Sequence, residues 1–247
     1  MKRYKLTLAY DGTNYCGWQV QKQKDSIQAL LQRALETTLR HPLDLSGSGR
    51  TDAGVHALGQ TAHFDTAVSF ESRKLRLSLN ALLPPDIRVL EIEPTPLSFH
   101  ARYSAKSKIY HYDLHLDRTI DPFTRLYRTQ ILKKLDLELL QKAAMQFLGT
   151  HDFTSFANEP KRGSAAHDPI RTLSRLDLSP IPQGARLIFQ ADGFLYKMVR
   201  NITGTLIACA SGKLSPHQIP IILAAKDRRQ ASATAPPQGL FLMKVLY

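Results

Sequence analysis

Cysteine is nearly absent from this chain: Cys16 and Cys209 are the only two in 247 residues. Two thiols so far apart build no disulfide framework and show no paired metal-ligand spacing. They read as small buried residues of a reducing compartment. The nine histidines form neither an HExxH nor an HxE…PCxxC pattern, so the usual catalytic zinc signatures are missing. No apolar run approaches the roughly 20 residues of a spanning helix. The N-terminus, Met1-Lys2-Arg3, runs straight into alternating residues without the apolar stretch and cleavage site of a signal peptide. The expectation is a cytoplasmic protein with no membrane partner and no metal. Acidic residues are also few, 21 Asp and Glu against 33 Lys and Arg, giving a formal net charge of +12. Such a surface draws in polyanions, with nucleic acid the first candidate and an anionic membrane surface the second.

Hydrophobic residues make up 43% of the chain, enough for a substantial core. Residues 4–10 alternate as a strand does, and Asp11-Gly12-Thr13-Asn14 breaks the pattern with turn residues. Asp25 and Gln28 fit a capping box ahead of an amphipathic helix whose apolar face is Ile27, Leu30, Leu31, Ala34, Leu35 and Leu39. A short strand at 43–46, a glycine-punctuated loop at 47–54 and a strand at 60–68 follow. A helix is predicted from Ser69 to about Leu82, stopped by Pro84-Pro85, and then a strand at 87–92. The second half repeats this mixture, with strands near 107–116, 171–179 and 185–191. Its helices are expected at 136–148, capped by Asp136 and closed by Gly149, at 196–210, and at 215–226 with Ser215 as cap and Pro216 at the first position. Leu240 to Leu246 forms a last strand. The sum is α+β, divided into an N-terminal part, 1–105, and a C-terminal part, 106–247. Residues 159–168 are the best candidate for a mobile loop.

The densest signal is Gly47-Ser48-Gly49-Arg50-Thr51-Asp52-Ala53-Gly54-Val55-His56-Ala57. Three glycines in eight residues permit positive φ and close approach by a ligand. The spacing is not that of a phosphate-binding P-loop. By residue chemistry alone Asp52 has two readings, a turn-forming aspartate with a local salt bridge or a reacting carboxylate.

The longer block Gly49 to Gln60, containing Arg50-Thr51-Asp52-Ala53-Gly54-Val55-His56, resembles the active-site motif of the tRNA pseudouridine synthase A family. Further blocks resembling that family follow its order over nearly the whole chain. They include Tyr10-Asp11-Gly12-Thr13 with Gly17-Trp18-Gln19, Phe99-His100-Ala101-Arg102, Lys108-Ile109-Tyr110-His111-Tyr112, Gly149-Thr150-His151-Asp152-Phe153, Met198-Val199-Arg200-Asn201 and Ala235-Pro236-Pro237-Gln238-Gly239-Leu240. Ala231-Ser232 stands where the family tends to carry a glycine.

The resemblance implies isomerisation of uridine to pseudouridine at positions 38 to 40 of the tRNA anticodon stem-loop, with no cofactor. It implies a pseudouridine synthase fold in which two similar sheet-and-helix halves form one continuous sheet with a central cleft, and a homodimer lying under tRNA. Asp52 becomes the nucleophile, able to form an adduct with either sugar or base and so to divide one hard step into two. Arg200 becomes the ion-pair partner and Arg50 a group that holds the flipped nucleotide; a guanidinium fork suits carboxylate and phosphate alike. Tyr110 and Tyr112 share one side of a strand and by periodicity are core aromatics, whereas the resemblance assigns Tyr110 to stacking on the uracil. The C5 proton has two candidate acceptors, a tyrosine hydroxyl or a water. Trp18 reads as core, Asp11 and Asp152 as turn residues.

Basic clusters are dispersed (Arg73-Lys74-Arg76, Lys106-Lys108, Arg125-Arg128, Lys133-Lys134, Lys161-Arg162, Arg228-Arg229), which suits a folded RNA touched over a broad surface; about half of them read equally well as ordinary solvated helix faces. Two other functions compete. A hydrolase cleaving the N-glycosidic bond needs a second acid or base to activate water, and the Asp52 loop holds no other acid. A non-catalytic RNA-binding module explains the charge but not an aspartate, which repels phosphate, in a ligand-approachable loop.

Overall fold

The computed structural model describes residues 1–22, 24–158 and 168–247. Of the mobile loop predicted at 159–168, residues 159–167, Lys161 and Arg162 among them, lie outside the described residues. The chain divides into two compact units, residues 1–106 with 241–247, and residues 107–240. Each mixes sheet and helix, so the α+β class holds.

In the first unit, β1 (Lys2–Tyr10) buries Tyr4, Leu6, Leu8 and Tyr10 at every second position, as its alternation predicts. It pairs antiparallel with both β3 (His56–Thr66) and β4 (Ile87–Thr95). The short β2 (Leu45–Gly47) lies against the far end of β3, and β10 (Leu240–Leu246) pairs parallel to its near end through Phe241 and Leu242. The order β4-β1-β3-β10 makes β3 a central strand, and from Gly59 onward all of its residues except Asp65 are buried. Helix α1 (Ile27–Leu39) buries Ile27, Leu31, Ala34, Leu35 and Leu39, each fully buried leucine or isoleucine worth about 1.5–3 kcal/mol. It packs beside α2 (Ser72–Leu82), which covers β4.

Two helix starts differ from the sequence reading. The cap of α1 is Ser26, not Asp25: the Ser26 backbone is extended at φ −125 and ψ 152, and its hydroxyl accepts from the Ala29 N–H at 3.3 Å. Gln28 does not reach back. Its side chain donates to the Leu45 carbonyl and accepts from Val20, tying the helix to β2 and to the segment before it. Helix α2 begins at Ser72, three residues later than expected, with Glu71 at its cap and no side-chain capping bond.

The second unit is an antiparallel sheet in the order β5 (Ser107–His115), β9 (Gly184–Ala191), β8 (Ile170–Ile181) and β7 (Gly149–Asp152), with β6 (Thr129–Gln130) parallel to β5. Helix α3 (Leu137–Met145) is capped by Asp136, whose carboxylate accepts from the Leu139 N–H at 2.9 Å. It packs on α4 (Met198–Ala210) and β8. Gly149 does not close α3. The helix ends at Met145, and Gly149, at φ +101, opens β7 instead. The segment from Ser215 is a single 3-10 turn, Pro216–Gln218, followed by α5 (Ile219–Ala225), with Gln218 accepting from the Ser215 N–H.

Candidate active site

Asp52 sits on the connection from β2 to β3, and the sequence folds this loop by closing it from both sides. On one side, Gly47 lies against Trp18 so closely that a Cβ would fall 2.6 Å from the indole. Trp18 itself is buried, a core residue as expected. The Trp18 backbone N–H donates to the Thr51 carbonyl at 3.1 Å, and Gly17 forms an isolated antiparallel bridge with Asp52. Gly17 is at φ +101 with its absent Cβ 2.3 Å from the Thr51 carbonyl oxygen; only glycine combines that backbone with that approach. On the other side, Gly54 at φ +75 lies within a turn closed by the Val55 N–H on the Asp52 carbonyl, 3.2 Å. The aspartate is half-buried at this junction.

The turn 11–13 packs under the same loop. Asp11 Oδ1 accepts from the Thr13 N–H and hydroxyl, the turn role predicted for it. The absent Cβ of Gly12 would lie 2.0 Å from the Val55 carbonyl oxygen. His56, buried and stacked on Phe241 with centroids 4.7 Å apart, brings Nδ1 within 3.1 Å of the Gly12 N–H and 3.0 Å of Asp11 Oδ1. These two contacts exclude each other in a given tautomer. A lone pair on Nδ1 accepts from Gly12, whereas a proton on Nδ1 donates to Asp11. Arg50 is exposed and donates through Nε to Gln19 Oε1 at 3.0 Å.

Tyr110 and Arg200 belong to the second unit. Tyr110, on β5 opposite Phe189, is 8% exposed and meets Phe194 edge-to-face at 5.0 Å. Tyr112, two residues on, is fully buried, and its hydroxyl donates to the Pro236 carbonyl and meets the Thr129 hydroxyl. Burial raises the Tyr112 pKa; Thr129 and Arg200 oppose the shift. Arg200, in the first turn of α4, donates through Nε to the Ala235 carbonyl at 2.8 Å, and the Ala235 N–H returns a bond to the Arg200 carbonyl. The Ala235-Pro236 segment thus joins Arg200 to Tyr112. Arg50 and Asp52 therefore share one loop of the first unit, and Tyr110 and Arg200 share the second.

Asn201, to which the sequence assigns no role, ties Thr234, the neighbour of Ala235, to the 156–158 segment. It is fully buried. Its amide donates to the Phe156 carbonyl and Asn158 Oδ1, and its oxygen accepts from Thr234 and Arg228. Arg228 also reaches Thr234 and the Ala231 carbonyl, and burial lowers its pKa. Arg229 is paired with Asp227. In the sequence both arginines form one of the dispersed basic pairs, read as RNA contact or solvated face; Arg228 is instead a bracket for the 231–235 segment. Asp152 accepts from Thr154, the expected turn, and pairs with Lys226.

A family model described as tRNA pseudouridine synthase matches residues 7–104 and 143–247. The tRNA pseudouridine synthase A 1 of Protochlamydia amoebophila is 56% identical over 248 residues, covering 100% of this chain and 97% of that protein. The tRNA pseudouridine synthase A of Exiguobacterium sp. is 45% identical over 249 residues, covering 100% and 98%. That of Lacticaseibacillus casei is 42% identical over 250 residues and covers both chains fully. The chain belongs to the tRNA pseudouridine synthase family. Arg50, Asp52 and Arg200 lie within the matched residues, and Tyr110 lies in the interval between them.

Proposed function

We propose that this chain converts uridine to pseudouridine in the anticodon stem-loop of tRNA, at positions 38 to 40, with Asp52 as the nucleophile. The observation that carries the reading is a half-buried aspartate fixed between two glycine-dependent close approaches, in a chain of this family. The N1–C1′ bond breaks, the uracil turns over, and C5 bonds to C1′ while the C5 proton leaves. The C5 proton passes to solvent and the freed N1 takes a proton up, so the isomerisation is redox-neutral and the carboxylate only has to form and release an adduct. The target base must leave its stack to reach the carboxylate. Tyr110, its ring plane set by Phe194, supplies the stacking face. Arg50 and Arg200 bind the substrate as planar forks, Arg200 being pre-positioned by Ala235. The net charge of +12 suits a polyanionic substrate. No helix among the described residues is long and apolar enough to cross a membrane, and the chain acts in the cytoplasm as a homodimer.

The test uses tRNA tritiated at C5 of uridine. The expected products are tritium in water and pseudouridine in the RNA, with no free uracil. Free uracil would make the protein a hydrolase. A folded protein that binds tRNA and releases no tritium would be a binding module.

A further inference from the structure

The loop that carries Asp52 rests on a buried polar chain, to which neither the family match nor the reading of the motif gives a task. Gln60 on β3 is fully buried, and its amide is engaged at both ends. Oε1 accepts from the Ser48 hydroxyl at 2.7 Å and from the Thr61 N–H at 3.1 Å. Nε2 donates to the Gly49 carbonyl at 3.1 Å and, at 3.5 Å, towards the Tyr10 hydroxyl. That hydroxyl meets Thr51 Oγ1 at 2.9 Å. Ser48, Tyr10 and Thr51 are buried as well. One amide thus holds three successive levels of the loop: the side chain of residue 48, the backbone of 49 and, through Tyr10, the side chain of 51. The Ser48 N–H on the Thr61 carbonyl, 2.7 Å, adds a backbone tie to the same strand.

Burying four polar side chains costs free energy unless every group is partnered. An apolar core would hold a turn more cheaply than this network does. What the network adds is direction. Hydrogen bonds fix the backbone of 48–51 in rotation as well as position, and Asp52 follows directly. The geometry points to Gln60, Tyr10 and Thr51 as positioning residues for the Asp52 carboxylate, acting on turnover and not on tRNA affinity. This inference rests on Asp52 being the nucleophile.

The test compares Thr51→Val, which keeps the shape and deletes the hydroxyl, with Thr51→Ser, which keeps the hydroxyl, and with Gln60→Met. Single-turnover pseudouridine formation, tRNA Kd and the folded fraction are measured for each, with Asp52→Asn alongside. Displacing a reacting group by about 1 Å costs about 100-fold in rate, so a partial loosening should lower the Thr51→Val and Gln60→Met rates by at least about tenfold. Kd should stay within about twofold of wild type, and Thr51→Ser should recover most of the rate. Wild-type turnover in Thr51→Val, or a loss confined to tRNA affinity, overturns the inference. So does a rate loss that vanishes when scaled to the folded fraction. An inactive Asp52→Asn beside a fully active Thr51→Val would overturn the positioning role alone. An active Asp52→Asn would remove the nucleophile and this role together.

Discussion

Replacing Gly17 by alanine should damage the catalytic loop without touching any group that contacts substrate. The residue is at φ +101, and its added Cβ would lie 2.3 Å from the Thr51 carbonyl oxygen and 2.9 Å from the Asp52 carbonyl carbon. A left-handed backbone costs a residue with a Cβ about 1–2 kcal/mol. Relieving the contact requires the Thr51-Asp52 peptide to move by roughly 1 Å, which weakens the Trp18 bond to Thr51 and the Gly17–Asp52 bridge, each worth about 1 kcal/mol. The expected loss is about 3–4 kcal/mol, a fall in Tm of about 10 °C for a chain of this size. Because the displaced peptide is that of the proposed nucleophile, tritium release should fall by about 100-fold. Gly212 provides the control: it is also left-handed, at φ +73, but has no atom within 4 Å of an added Cβ. Gly212→Ala should cost about 1 kcal/mol and leave turnover alone. A Gly17→Ala protein within about 1 kcal/mol of wild type and turning over normally would refute the argument that this contact sets the loop.

Tyr110→Phe keeps the stacking face and should retain most of the tRNA affinity, whereas Tyr110→Ala should weaken binding by about 1–3 kcal/mol; equal Kd and turnover in the two variants would count against stacking. His63 gives a pH signature. Burial first, then His100 and Arg3, push its pKa down to about 4, and its Nδ1 accepts from the Ala101 N–H. With the folded pKa below the free value of 6.5, the unfolded chain binds the proton more tightly. Stability is then complete above about pH 6.5 and falls by up to about 3 kcal/mol as the pH drops towards 4. Urea titrations at pH 7.5 and 4.5 should show the loss, and His63→Gln should shrink it; an unchanged slope would refute the assignment.

What the sequence made legible follows from how far each signal reaches. Helix α1 and the hairpin of β8 and β9 announce themselves by local periodicity, because each buries its own apolar face. The cap shifted from Asp25 to Ser26 because either side chain can cap, and the choice was made by the Cys16 N–H binding the Asp25 carbonyl. Strands β6 and β7, two and four residues long, are too short for a periodic signal and exist through their partners. The last strand gives no local sign that residues 241–247 join the first unit through parallel pairing with β3. The same holds for the site. Arg50, Asp52, Tyr110 and Arg200 are candidates nominated by motif. Gln60 and Asn201 stand in motif blocks without a role of their own, and Arg228 reads as one of a dispersed basic pair, because what each of them holds lies 11 to 50 positions away. On β3 the run Gln60-Thr61-Ala62-His63 does not read as a buried segment, yet all four are buried, the polar ones being satisfied by hydrogen bonds instead of excluded from the core.

The most direct test of the central claim is Asp52→Asn, isosteric and uncharged, compared with wild type for tRNA binding and for tritium release from C5-labelled uridine. The expected result is a folded variant that binds tRNA as wild type does and releases no tritium above background. Near-normal release from the folded Asp52→Asn protein would show that the carboxylate is not the nucleophile, and the loop built around it would then need another purpose.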